Sequence, residues 1–170
     1  MGNIHSQNDM ASVAEPGHFN DPDMLQIGNV GLTITEQYTH MTLWCIAGAP
    51  LLAGTDLVHA TNETLAILAN PEVTAIDQDL GKNGAIQGTI LKKSAWIVDS
   101  NGEGHVDPES STEVWVKHLA DGKSVAVALL NLGDASANIE VSFADLGITV
   151  CVWTSFLGAF WRGLRFHACL

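Results

Sequence analysis

The apolar period of this chain changes near residues 81–88, and that change divides it in two. Before it, loops, helices and a short apolar strand alternate. Residues 35–47 read as a helix, because apolar side chains recur at Tyr38, Met41 and Cys45, Thr33 or Thr35 can cap its start, and Pro50 stops it. Leu51-Leu52-Ala53-Gly54 then reads as a short buried strand leading to the polar Thr55-Asp56. Thr61 or Asn62 caps a second helix over residues 63–69, which Asn70-Pro71 ends. Alternating strand and helix is the unit of parallel α/β folds. Two such units cannot cover both faces of a parallel sheet, so this half reads as the incomplete end of a larger α/β structure.

After Gly88 the period is two. Short strands are expected at residues 89–91, 95–98, 113–117, 125–130 and 139–143, with turn chemistry at Asn101-Gly102, Asp121-Gly122 and Gly133-Asp134. Residues 115–127 read as a hairpin with Asp121-Gly122 at its tip. An antiparallel β-domain follows for residues 83–148. Residues 149–170 differ again as an atypical hydrophobic tail: of the chain's 19 acidic residues none follows Asp145, while both arginines and two of three cysteines lie there. Two readings stay open, a buried strand with an aromatic tail or a frame-shifted end.

A formal net charge of -12 argues against nucleic-acid binding, which needs clustered Lys and Arg. Cys45, Cys151 and Cys169 form neither a metal spacing nor an even disulfide framework. Residues 1–10 are polar and lack the apolar core of a secretory signal, and the apolar runs at 43–54 and 148–161 are too short to span a bilayer. A soluble protein without stable membrane insertion is expected. Met1-Gly2-Asn3-Ile4-His5-Ser6 fits an N-myristoylation pattern, which is short and frequent by chance.

The chemistry concentrates in Gly17-His18-Phe19-Asn20-Asp21-Pro22-Asp23-Met24-Leu25. Pro22 holds the backbone extended, and residues i and i+2 of an extended chain point to the same side, so Asp21 and Asp23 can face one cavity. Such a pair suits a glycosidase acid and nucleophile, a divalent-cation site, or sugar hydroxyl binding. The competing reading is an Asp-Pro turn in which Asp21 accepts from local backbone amides. Asn62-Glu63-Thr64 is a glycosylation sequon as well as an ordinary helix start. His18, His40 and His59 share no metal spacing, Trp44 reads as core rather than as a sugar platform, and Glu103, Asp107 and Glu109 read as a solvated loop face.

The nonapeptide, with Gly28-Asn29, Gly31, Trp44, Ala49-Pro50-Leu51-Leu52, Asp56-Leu57, Glu63-Thr64, Ile67-Leu68, Asn70, Glu72-Val73, Ala75-Ile76 and Gln78-Asp79-Leu80-Gly81, resembles one continuous block of the family 27 α-galactosidases. Val127-Ala128-Leu129-Leu130-Asn131 is similar to a strand of that family's C-terminal β-domain. The family usually carries a proline between Asp and Leu where this chain reads Asp79-Leu80. The resemblance implies an α/β plus all-β architecture: the last quarter of a TIM (β/α)8 barrel over residues 1–82, truncated, then an antiparallel β-sandwich. It puts Asp23 and Met24 at the end of the seventh strand, at the face where such barrels carry their active sites, as substrate-binding residues. Residues 51–54 then form the eighth strand.

The family's nucleophile and acid/base are aspartates on earlier strands, so the resemblance implies no catalytic residue within this chain. It implies a retaining hydrolase of terminal α-linked galactosides, with no metal or cofactor, and a galactoside-type saccharide as partner. An α-N-acetylgalactosaminidase or a non-catalytic carbohydrate-binding fragment is the alternative. The family also allows a homodimer of the intact enzyme and a secreted, lysosomal or vacuolar location.

Overall fold

The computed structural model describes residues 2–93, 96–98, 104–106, 112–133 and 136–148. Two compact units emerge, residues 1–140 and residues 141–170. The expectations for residues 149–170, for Asn101-Gly102 and for Glu103, Asp107 and Glu109 lie outside the described residues.

The first unit opens with a helix the sequence reading did not foresee, α1 (Gly2–Asn8), anchored by the fully buried Ile4. Helix α2 (Ile34–Ala47) starts at Thr33 in a reciprocal capping box: Thr33 Oγ1 accepts from the Glu36 amide, and the Glu36 carboxylate accepts from the Thr33 amide at 2.7 Å. Gly48 ends the helix in the left-handed region. The second half of α2 is buried on nearly every side, through Met41, Leu43, Trp44, Cys45, Ile46 and Ala47, because it packs against α1, α3, α4 and the sheet.

Helix α3 (Asn62–Leu68) is capped by Thr61, whose hydroxyl accepts from the Thr64 amide at 3.1 Å. Asn70-Pro71 then does two things. It ends α3 as expected and also starts α4 (Pro71–Gln78), with Asn70 Oδ1 accepting from the amides of Glu72 and Val73 and Pro71 in the first turn.

The expected strand at residues 51–54 is reduced to one parallel bridge. Leu25 donates to the Leu52 carbonyl and accepts from the Gly54 amide, both at 2.8 Å, pairing Leu25 with Ala53. Among the described residues these two segments have no third strand beside them, and a parallel pair without flanking strands stays short.

The β-region has a three-stranded antiparallel sheet, β1 (Thr89–Lys93), β4 (Thr112–His118) and β5 (Val125–Asn131) in the order β1-β4-β5, with a bulge in β1 between Ile90 and Lys92. A separate antiparallel pair joins β2 (Trp96–Val98) and β3 (Gly104–Val106). The predicted hairpin is present: β4 and β5 meet through Asp121-Gly122, where Asp121 Oδ1 accepts from the amides of Lys123 and Ser124 and Gly122 has φ 69°. The strand expected at residues 139–143 is absent. Ser142 instead opens a turn in the second unit, its hydroxyl accepting from the Asp145 amide and its own amide donating to the Asp145 carboxylate.

Sheet and helices share the first unit's core. Trp115 is fully buried on β4 with Val114 and Val116 beside it, and Ile27, Met41 and Ile67 are also fully buried. Each such side chain stabilises the fold by about 1.5–3 kcal/mol.

Polar ties cross the same seam. Lys117 of β4, 1% exposed, donates from Nζ to the carbonyls of Ile76 at 2.7 Å and Asp77 at 3.2 Å, at the negative end of α4. Asp79 Oδ1 accepts from the amides of Gly81 and Ala120, which closes the loop after α4 without the family's proline. At Gly88 a Cβ would stand 2.5 Å from the Ile46 carbonyl oxygen, so only glycine lets β1 pass the end of α2. Toward the start of β4, His5 Nε2 lies 2.8 Å from the Glu113 carboxylate, which also accepts from the Trp115 indole. Burial raises the Glu113 pKa, but these hydrogen bonds outweigh it and hold the carboxyl below the usual glutamate range.

Candidate functional site

The site grows from the segment between the short 3-10 helix Ala11–Val13 and the Leu25 bridge. Its entry is pinned by Asn20, whose amide donates to the Met10 carbonyl at 2.9 Å and to Gln87 Oε1 at 2.7 Å; Gln87 in turn donates to the Gln7 carbonyl. The buried Gln87 thereby fastens this segment to the C-terminal end of α1.

Pro22, Leu25 and Ile27 turn inward, whereas Asp21, Asp23 and Met24 are exposed. Asp21 and Asp23 do come to one side. Both line an open depression of about 370 Å³ together with Pro22, Asn3, Ser6 and Gln7. Met24, 47% exposed, is not part of that lining.

The carboxylates are not aimed at each other. Asp21 Oδ1 accepts from the Asp23 amide at 2.9 Å, and Asp23 Oδ1 accepts from the Met24 amide at 2.7 Å. The turn reading of Asp21 is thus realised.

Asp23 sits at φ 89°, one of two non-glycine residues among those described with positive φ. That backbone costs an L-residue about 1–2 kcal/mol. Three hydrogen bonds hold it there: the Asp23 amide on Asp21, its carboxylate on the Met24 amide, and its carbonyl accepting from Trp44 Nε1 at 2.8 Å. Trp44 is the residue sequence reasoning undervalued. It is core, 6% exposed, as read, but its indole also fixes the backbone of the candidate site residue. The signal available was general: a buried Trp N–H needs a partner. His40 stacks on Trp44 with centroids 3.9 Å apart, and burial pushes the His40 pKa down.

Downstream, the segment is stapled to the Leu51–Gly54 stretch. Asn29 donates to Gln26 Oε1 and to the Gly54 carbonyl, and Thr55 Oγ1 donates to the Ile27 carbonyl. Gly28 has φ 88°, and a Cβ there would stand 2.6 Å from Thr64 Cγ2 on α3.

Other candidates stay apart. His18 pairs with Glu15 and His59 with Asp56, both at exposed sites. Among the described residues no group of three or more His, Cys, Asp or Glu comes together as a metal site. No helix among them is long and apolar enough to cross a membrane. Asn62 is exposed at the start of α3.

The family model described as alpha galactosidase A matches residues 3–79, and the alpha galactosidase C-terminal beta sandwich domain matches residues 109–155. The chain is 44% identical over 146 residues to alpha-galactosidase 2 of Arabidopsis thaliana, covering 85% of this chain and 32% of that protein. It is 49% identical over 145 residues to human alpha-galactosidase A, covering 84% of this chain and 29% of that protein. It is 35% identical to the alpha-N-acetylgalactosaminidase of Rattus norvegicus, covering 84% of this chain and 30% of that protein.

The α-galactosidase of Saccharomyces cerevisiae, solved with raffinose, superposes with a TM-score of 0.70 at 24% identity, covering 90% of this chain and 32% of that one. The chain therefore spans about a third of the length of the proteins it matches. Its fold is the one expected, the end of a (β/α)8 barrel followed by an antiparallel β-sandwich. With two family models together spanning more than half of it, the chain belongs to glycoside hydrolase family 27.

Proposed function

We propose that Asp23 and Met24 form one wall of the sugar pocket of a retaining exo-glycosidase that releases terminal α-linked galactose. The observation that carries this reading is the strained Asp23. Its backbone is forced to φ 89° and held by three hydrogen bonds, while its carboxylate and the neighbouring thioether stay exposed. Strain that the surroundings over-determine clusters at functional sites. An exposed carboxylate there accepts from sugar hydroxyls or orients a cationic neighbour, and a thioether packs against a sugar's C–H face. The galactosidase relatives and the neighbour solved with raffinose support the substrate class.

Asp21 and Asp23 are not the catalytic pair in this reading. Retention needs two carboxyl groups about 5–5.5 Å apart across the scissile bond, one attacking the anomeric carbon and the other protonating the leaving oxygen and then activating water. Here both side chains are turned onto main-chain amides. The pair comes from barrel strands other than the two that residues 1–82 supply, and the 170-residue chain by itself does not turn over α-galactosides. The reaction needs no metal or organic cofactor. An α-N-acetylgalactosaminide is the second reading, supported by the rat relative.

The test is kinetic, on a full-length enzyme carrying this C-terminal part. Asp23→Asn lowers kcat/KM about tenfold or more, while Asp21→Asn acts through melting temperature. The assignment fails if Asp21→Asn abolishes turnover at unchanged melting temperature and Asp23→Asn is mild. Turnover by the 170-residue chain within tenfold of an intact control would return both aspartates to candidacy as catalysts.

A further inference from the structure

The sequence contains one Asn-X-Ser/Thr sequon, Asn62-Glu63-Thr64, and no role in sugar binding absorbs it. The fold separates its two working groups. Asn62 is the first residue of α3 and exposed, one position past the cap, so its side chain carries no capping duty; Thr61 does that. Thr64 is 5% exposed, its hydroxyl 2.9 Å from that of Thr61 and its methyl group over Gly28, where a Cβ would come within 2.6 Å.

We propose that Asn62 is an N-glycosylation acceptor that is modified before α3 docks. An oligosaccharyltransferase must engage both the asparagine amide and the threonine hydroxyl of an extended sequon. In the folded chain the hydroxyl is closed off and the amide is not. The site is therefore open during synthesis and shut afterwards, and the finished glycan stands in solvent without disturbing the cap. In the transfer, Asn62 Nδ2 bonds to the anomeric carbon of a lipid-linked diphospho-oligosaccharide. The anomeric C–O bond breaks, its electron pair leaves on the diphosphate, and one amide proton passes to a base of the transferase. The proposal is independent of the catalytic reading.

The whole 170-residue chain, fused behind a cleavable secretory leader, is translated in the presence of microsomes beside a control acceptor. The expected result is a single endoglycosidase-sensitive gain in mass, kept in Thr64→Ser and lost in Asn62→Gln and in Thr64→Val. Purified folded chain given the transferase and lipid-linked donor should gain none, and should become an acceptor once unfolded. No shift in the wild type while the control is modified, a shift that persists in Asn62→Gln, or equal modification of folded and unfolded chain would overturn the proposal.

Discussion

The left-handed backbone at Asp23 makes an unusual demand on substitution, because it reverses the ordinary order of alanine and glycine. Asp23→Gly removes the steric cost of φ 89°, about 1–2 kcal/mol. It loses the carboxylate's hydrogen bond to the Met24 amide, about 0.5–1.5 kcal/mol. It also adds the greater unfolded freedom of glycine, roughly 0.5–1 kcal/mol. The three nearly cancel, so Asp23→Gly lies close to wild type. Asp23→Ala loses the same hydrogen bond and keeps the strain, so it falls below Asp23→Gly by about 1 kcal/mol or somewhat less. At a position with ordinary φ the sign is opposite, since alanine then gains what glycine loses. Asp23→Asn keeps an oxygen acceptor and tolerates the left-handed region, so it stays near wild type, which makes it the right variant for kinetics.

Urea unfolding of the 170-residue chain, followed by far-UV circular dichroism, reads the order directly. Heating reads it as a difference of about 2–4 °C. If Asp23→Ala proves more stable than Asp23→Gly, the backbone is not held at positive φ and the strain argument for the site collapses.

Two other sites carry equally directional expectations. Gly28→Ala meets both a positive φ of 88° and a contact 2.6 Å from Thr64 Cγ2, and should cost about 2–4 kcal/mol by chemical denaturation; adding Thr64→Ser should recover the contact's share but not the backbone's. Burial raises the Asp77 carboxyl from 3.8 to about 6 against the hydrogen bond from Gln78 and the charge of Lys117, so its stabilising share is full below about pH 3.8 and is lost as pH rises through about 6. After allowance for its partial exposure, wild type should lose about 1–2 kcal/mol relative to Asp77→Asn between pH 4 and 7.5 in urea titrations, and parallel pH profiles for the two proteins would refute the assignment.

What the sequence disclosed follows the range over which each signal acts. Caps and turns are local, and they were readable: Thr33, one of two caps offered, starts α2, Thr61, one of two offered, caps α3, and Asp121-Gly122 turns the β4–β5 hairpin. Helix α4 was missed although its start was in view, because Asn70-Pro71 was read only as an end. Helix α1 was missed because seven residues with one buried anchor, Ile4, show no period; what holds it is distant, His5 on Glu113 and Gln7 on Gln87. The strand expected at residues 139–143 failed for the opposite reason. Alternation was present, but Ser142 and Asp145 offered the backbone a local alternative, and a strand needs an edge to pair with.

The site divides along the same line. That Asp21 and Asp23 share a side was anticipated from residue spacing, although Asp23 is not extended, and that Asp21 bonds a nearby amide follows from Asp-Pro chemistry. The conformation of Asp23 was not legible, because no single residue type encodes a positive φ on an aspartate. It arises from a carboxylate one residue away, an amide one residue on, and an indole twenty-one positions later on α2. Gly48 ends α2 just past Trp44, and the chain then returns to place Ala53 beside Leu25, two residues from Asp23. The conformation of Asp23 is therefore a property of how the two segments pack, and a substitution that loosens the Leu25–Ala53 bridge should reach Asp23 without touching it.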